Sequence, residues 1–321
     1  MKNGILTTIG NTPLVPLRQI TREPKQHVYA KWEGMNPGGS AKDRPALRMI
    51  QEGLRSGEIG PDTVIIESSS GNMAISLAMI CSYLGLRLIC VIDPKTTTQN
   101  VQIMKAYGAE IDWVEQPDPQ TGEFLPARIA RVQALLSQIE NSYWPNQYAN
   151  PHNYLSHYHT TMKEIAASLK EIDYLFCGVS SCGTIRGCAE YIKDHKLKTK
   201  VIAVDAKGSM IFGGEKSKRL FPGLGAGMVP PQLKPELIDR TVYVTDLDCV
   251  IGCRLLLQKE SILAGASSGG VMMGFQSISA ELPKDSTSVL IFPDRGDRYL
   301  DTVYSREWVK EHVGAMPDEL Q

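Results

Sequence analysis

The chain has 321 residues, 42% of them hydrophobic and 21% charged, a balance that suits a folded protein of two domains. Its 34 Lys and Arg against 35 Asp and Glu leave a formal charge of −1, so no global basic field exists to hold nucleic acid or an anionic membrane surface. The opening MKNGILTTIGNTPLVPL lacks an apolar signal core and no apolar stretch reaches membrane length, from which a soluble cytoplasmic protein is expected.

In chain order, short β-branched runs predict strands over 28–32, 64–67, 88–92, 174–179, 201–205 and 289–292. Amphipathic stretches predict helices over 46–54, 73–84 and 185–195. The alternation reads as α/β, with parallel-rich open sheets flanked by helices. The Pro/Gly/Asp-rich segment 116–126 and then 144–153 interrupt it, which predicts a surface loop followed by a crossing between domains. A cleft between the two halves is the expected ligand site.

Seven cysteines, at 81, 90, 177, 182, 188, 249 and 253, form no CxxC pair and no Cys/His zinc spacing, so buried reduced thiols and no metal site are expected. Cys182 stands in a glycine/serine/threonine turn, where it reads either as a loop filler or as a redox thiol. His157 and His159 alternate without a carboxylate or thiol beside them, which points to packing or capping.

Three strand-to-helix loops carry candidate chemistry. In Pro37-Gly38-Gly39-Ser40-Ala41-Lys42-Asp43-Arg44-Pro45 the glycines permit a tight turn and Lys42 falls at a helix start. The helix dipole and the neighbouring Arg44 there disfavour an ammonium, which keeps an amine available for imine formation. Glu67-Ser68-Ser69-Ser70-Gly71-Asn72 sets hydroxyls and backbone N–H groups at a second helix start. That is either a carboxylate cradle or a serine-rich N-cap. Gly178-Val179-Ser180-Ser181-Cys182-Gly183-Thr184 has neither a GK[ST] nor a GxGxxG pattern, so a single phosphate monoester suits it better than a pyrophosphate. A fourth stretch, 263–270 (LAGASSGG), places Ser267 before another helix.

Together and in this order PGGSAKDR, SSSGN, the glycine/serine loop and AGASSGG resemble the fold-type II pyridoxal-phosphate enzymes, the family of cysteine synthase and cystathionine β-synthase. The resemblance extends to GNTPLV, NQYANP, PGLGAG and PDRGDRYL and so spans nearly the whole chain. It implies a tryptophan synthase β-like fold, with 1–40 and 147–321 as a larger cofactor-anchoring domain and 41–146 as a smaller mobile one. Pyridoxal 5′-phosphate would be carried on Lys42 as a Schiff base and Asn72 would bind its ring hydroxyl. Ser180, Ser181, Cys182, Gly183 and Thr184 would hold its phosphate, and Ser267 would face the pyridine nitrogen. Ser69, Ser70 and Gln147 match carboxylate-binding positions. Lys42 would also remove the α-proton while the β-substituent leaves.

The sequence departs from the cysteine synthase pattern at three substrate positions. Tyr148 replaces a phenylalanine, Ser180 the first glycine of the phosphate loop, and Met73 a threonine that touches substrate. Extra hydroxyls suit a second substrate more polar than sulfide. With KDRPA, SHYH and VDAKGSMIFG, these departures are most similar to the family members that join O-phospho-L-serine to L-glutamate on the way to diaminopropionate. Arg128 is the candidate cation for the leaving phosphate or the glutamate carboxylates, its other reading being a solvated helix arginine. Family resemblance further implies a homodimer. The rival readings are a cysteine synthase using sulfide, which shares every cofactor residue, and a catalytically silent binding partner, which an intact Lys42, Asn72 and Ser267 disfavour. A serine or threonine dehydratase fits PGGSAKDR less well, and no regulatory tail is expected after residue 321.

Overall fold

The structure, a computed structural model, describes residues 4–20 and 26–314. Strands β1 (Leu14–Pro16) and β2 (His27–Trp32) lead to helix α1 (Asp43–Ser56). The chain then runs β3 (Val64–Ser68), α2 (Asn72–Leu84), β4 (Arg87–Ile92), α3 (Thr98–Ala106), β5 (Glu110–Trp113), α4 (Phe124–Gln138) and β6 (Ser142–Tyr143). Helix α5 (Pro151–His157), a π turn at Tyr158–Met162 and α6 (Lys163–Ser168) precede β7 (Tyr174–Gly178), α7 (Gly183–Asp194), β8 (Lys200–Ala206) and β9 (Arg240–Val244). Helices α8 (Asp246–Glu260) and α9 (Ala266–Ile278), strand β10 (Thr287–Phe292) and α10 (Arg306–His312) complete the described chain.

Among the described residues these elements form two compact units, one within 4–9 and 42–153, the other within 10–20, 26–41 and 154–314. The first holds a four-stranded sheet of order β5-β4-β3-β6, parallel throughout. Its central strands are nearly all apolar because both faces are covered, and β3 is buried at every position. Helix α2 is likewise buried over most of its circumference, from Met73 to Cys81. The division differs from the expected boundaries at the amino terminus. Leu6 and Ile9, 1% and 3% exposed, lie in the same core as Ile50, Leu77 and Cys90, so burial draws this segment into the smaller unit. Residues 147–153 also belong to that unit.

The second unit is built on a six-stranded sheet of order β1-β2-β10-β7-β8-β9. All its pairings are parallel except β1 with β2. Side chains alternate across it with the period of two that a strand imposes. Ala30, Phe176, Ile202, Val204 and Leu290 meet α8 and α9 on one face, while Leu175, Cys177, Val201, Ala203 and Val289 meet α6 and α7 on the other. No helix among the described residues is long and apolar enough to cross a membrane.

Candidate active site

Lys42 is the N-cap residue of α1, half-buried, and its carbonyl accepts the first helical hydrogen bond from Ala46 N at 3.0 Å. The turn before it belongs to the larger unit. Gly39 adopts φ +82°, a left-handed conformation that glycine reaches without strain. Arg298 of the PDRGDRYL segment donates to the Gly38 and Gly39 carbonyls at 3.3 Å each, and Ala41 N donates to Pro293 O at 2.7 Å. The PGGSAKDR and PDRGDRYL segments are thus fastened to each other.

Within the smaller unit, α1 and α2 are tied beneath Lys42 and Asn72. Asp43, fully buried, accepts a short hydrogen bond from the Ser76 hydroxyl, which also lies 2.9 Å from the Asn72 carbonyl oxygen. The residues following Lys42 and Asn72 are therefore held by one buried contact, and sequence reasoning had passed over both Asp43 and Ser76. In the serine turn the Ser69 hydroxyl accepts from Ala74 N at 3.3 Å and Gly71 N at 3.4 Å, while the N-cap of α2 is Gly71, with no side-chain cap. Ser70 remains half-buried, its carbonyl accepting from Asn100 Nδ2 at 3.0 Å. Met73, 2% exposed, packs in the core with Ile50 and Leu77.

Gln147 is buried and Tyr148 half-buried, and burial pushes the Tyr148 phenol up from its ordinary range against the pull of the Arg128 charge. Arg128 itself is not a solvated helix arginine. It is 9% exposed, its Nε sits 3.3 Å from Asp93 Oδ2, and neither Nε nor Nη1 has a hydrogen-bond partner among the described residues. A buried guanidinium with unmet donors is a position that a carboxylate or phosphate would complete.

In the larger unit, residues 179–182 link β7 to α7 and place Ser180 to Thr184 at the amino end of a twelve-residue helix. Cys182 caps that helix with φ +63° and ψ +6°, a left-handed cysteine, and is 3% exposed. Gly225 N donates to Val179 O at 2.6 Å, drawing the PGLGAG segment against the loop. Thr184 Oγ1 lies 3.2 Å from His157 Nε2, and His157, fully buried, reaches Thr161 Oγ1 with its other ring nitrogen at 2.9 Å. The expected packing role of His157 is thus more specific than packing, because it fixes the Thr184 hydroxyl at the start of α7.

Ser267 is in the first turn of α9 and 4% exposed. A Cβ on Gly178 would lie 4.0 Å from the Ser267 carbonyl oxygen, which puts the end of β7 next to that turn. Gly265 N donates to Asp294 O at 3.0 Å, and Asp294 accepts from Tyr299 Oη at 2.9 Å. These bonds fix where α9 begins. The donor set fits a cofactor that bears one phosphate and a weakly basic ring nitrogen: small residues at a helix amino end for the phosphate, and a neutral hydroxyl for the nitrogen. All seven cysteines are buried and none is disulfide-bonded, and burial pushes the Cys81 and Cys253 thiols up to about 12, out of the reactive range.

Residues 5–294 match the family model described as pyridoxal-phosphate dependent enzyme. Among solved structures the chain is similar to an O-acetylserine dependent cystathionine β-synthase from Helicobacter pylori, at 33% identity and TM-score 0.86 over 95% of this chain and 99% of that one. It is similar to a hydrogen sulfide-producing enzyme from Fusobacterium nucleatum at 32% identity and TM-score 0.87, covering 94% and 98%. An O-ureido-L-serine synthase matches at 28% identity and TM-score 0.89, covering 99% and 98%. The chain belongs to the pyridoxal-phosphate dependent enzyme family, in its fold-type II, cysteine synthase-like branch, and pyridoxal phosphate is its cofactor.

Proposed function

We propose that the chain is an N-(2-amino-2-carboxyethyl)-L-glutamate synthase of the kind that serves staphyloferrin B biosynthesis. It replaces the phosphate of O-phospho-L-serine with the amine of L-glutamate, supplying a precursor of L-2,3-diaminopropionate. The family supplies β-replacement, and the similar structures carry names for different products, so the second substrate is set by the chain's own side chains. The observation that carries the reading is Arg128, a buried cation with unmet donors in the unit that also contains Lys42 and the serine turn. Sulfide has no use for such a group, whereas glutamate brings two carboxylates and phosphoserine brings a phosphate.

In this reading Ser69, Ser70 and Gln147 bind the donor's carboxylate, Arg128 and Tyr148 read the second substrate, and Ser180 to Thr184 with Ser267 and Asn72 orient the cofactor. Met73 supports the turn from beneath. The cofactor, when bound, withdraws electrons from the substrate's α-carbon. Lys42 Nζ takes the α-proton as the phosphate leaves and returns a proton at the end of the cycle, so the Lys42 amine must be neutral when it acts as base. Expulsion of phosphate and addition of the glutamate nitrogen to the β-carbon balance as one C–O bond broken and one C–N bond formed. The working enzyme is a homodimer in this account, by analogy with the family.

The test supplies O-phospho-L-serine with glutamate or sulfide and follows phosphate release and product mass. Glutamate should give the N-linked adduct. The Arg128→Ala variant should lose at least about tenfold in kcat/KM with glutamate, the scale of one buried charge-assisted contact. Cysteine formation without a glutamate adduct would assign the chain to the sulfide-using branch instead.

A further inference from the structure

Glu67 is fully buried at the end of β3, directly before the serine turn. Its Oε1 accepts from Ser68 N at 2.9 Å and from the Trp144 indole N–H at 3.2 Å, and its Oε2 accepts from Gln147 N at 3.3 Å. One carboxylate thus joins two segments that are 80 residues apart in sequence, the turn that carries Ser69 and Ser70 and the segment that carries Gln147 and Tyr148. We infer that Glu67 is a positioning residue for substrate binding, a buried strut that sets the spacing between the two groups of carboxylate ligands. The inference rests on the reading that Ser69, Ser70 and Gln147 receive the donor's carboxylate.

A hydrophobic side chain would fill the space without supplying acceptors, and a buried carboxylate is an expensive filler unless its acceptors are used. Here three donors use them. The groups that act on it from the surrounding elements are Arg128 of α4, Cys90 of β4, Tyr143 of β6 and Tyr148. Desolvation pushes the Glu67 carboxyl up to about 7, with the Trp144, Gln147 and Ser68 N–H groups and the Arg128 charge opposing the shift. The ionised form accepts from all three donors. Protonation converts one oxygen into a hydroxyl, and the longest bond, to Gln147 N, is the first to weaken. The strut is therefore firm above neutral pH and slack below it.

The experiment measures KM and kcat for O-phospho-L-serine in wild type and Glu67→Gln from about pH 6 to about pH 9, spanning the titration that burial imposes. It also records amide exchange of the 144–150 segment in both proteins. The neutral amide resembles protonated Glu67. The ratio of variant to wild-type KM should therefore start near one at low pH and rise to roughly tenfold at high pH, with kcat changing less and amide exchange accelerating. A ratio that stays flat overturns the strut, and one that falls below one assigns Glu67 to simple repulsion of the substrate carboxylate. Should Glu67→Gln not fold, Trp144→Phe removes one of the three donors and should raise KM in the same direction but by less; no rise contradicts the proposal. Gln147→Ala separates the two levels of argument. If it raises KM while Glu67→Gln does not, only the strut fails; if it leaves KM unchanged, the carboxylate reading and the strut fall together.

Discussion

Cys182 occupies a backbone position that its own side chain disfavours. A non-glycine residue at φ +63° costs about 1–2 kcal/mol relative to the right-handed region. Its thiol is buried, which offsets part of that strain through packing. The two effects are similar in size. Cys182→Gly should therefore change the unfolding free energy by less than about 1 kcal/mol, while Cys182→Val, branched at Cβ, should lose more than about 2. Urea titration of the purified variants measures both, and a large loss on Cys182→Gly would mean that the thiol holds the loop by more than packing. The left-handed turn was legible only as a glycine-rich loop. A cysteine gives no sequence signal for positive φ, because the residues that advertise it are glycine and asparagine.

Among the elements, those predicted most closely are the strands of the two sheet interiors. β3, β4, β7, β8 and β10 are short, β-branched and buried, and each begins or ends within two residues of its expected place. β5 escaped notice because it is an edge strand with no buried position, and β6 because it is two residues long. The sequence does not announce helix α8, since its buried face is built from Cys249, Val250, Gly252, Cys253 and Leu256 and shows little hydrophobic contrast. Small residues are there because the helix presses against α9, where a Cβ on Gly252 or Gly269 would strike the other helix's backbone. Helix α4 begins at Phe124, inside the segment expected to be a loop up to Pro126, and proline in a first turn is compatible with that start. The tie between α1 and α2 was invisible in sequence because Asp43 and Ser76 are 33 residues apart. Removing it with Asp43→Ala should lower the unfolding free energy by about 1–3 kcal/mol and weaken cofactor retention on dialysis, with Asp43→Asn milder because its amide oxygen still accepts. Unchanged retention would detach that buried contact from the placement of Lys42.

At the scale of the whole molecule, the α/β class and the order of the ligand loops follow from the sequence, while the division into units does not. The resemblance assigns the amino terminus to the larger domain, yet Leu6 and Ile9 are buried in the smaller unit's core, a long-range preference that local pattern does not encode. The same limit applied to the site. Lys42, Asn72, Ser180 to Thr184 and Ser267 each stand in a local sequence motif. His157, Asp43 and Glu67 act on those motifs through buried contacts with other segments. A formal charge of −1 gives the chain no general attraction for anions, so in the proposed function Arg128 and the loop at the start of α7 supply it locally. Every step of the account depends on Lys42 carrying the cofactor. Borohydride reduction of the holoenzyme followed by peptide mapping tests this most directly. The account predicts that the pyridoxyl group lies on the peptide containing Lys42, and recovery of the label on any other lysine would contradict it.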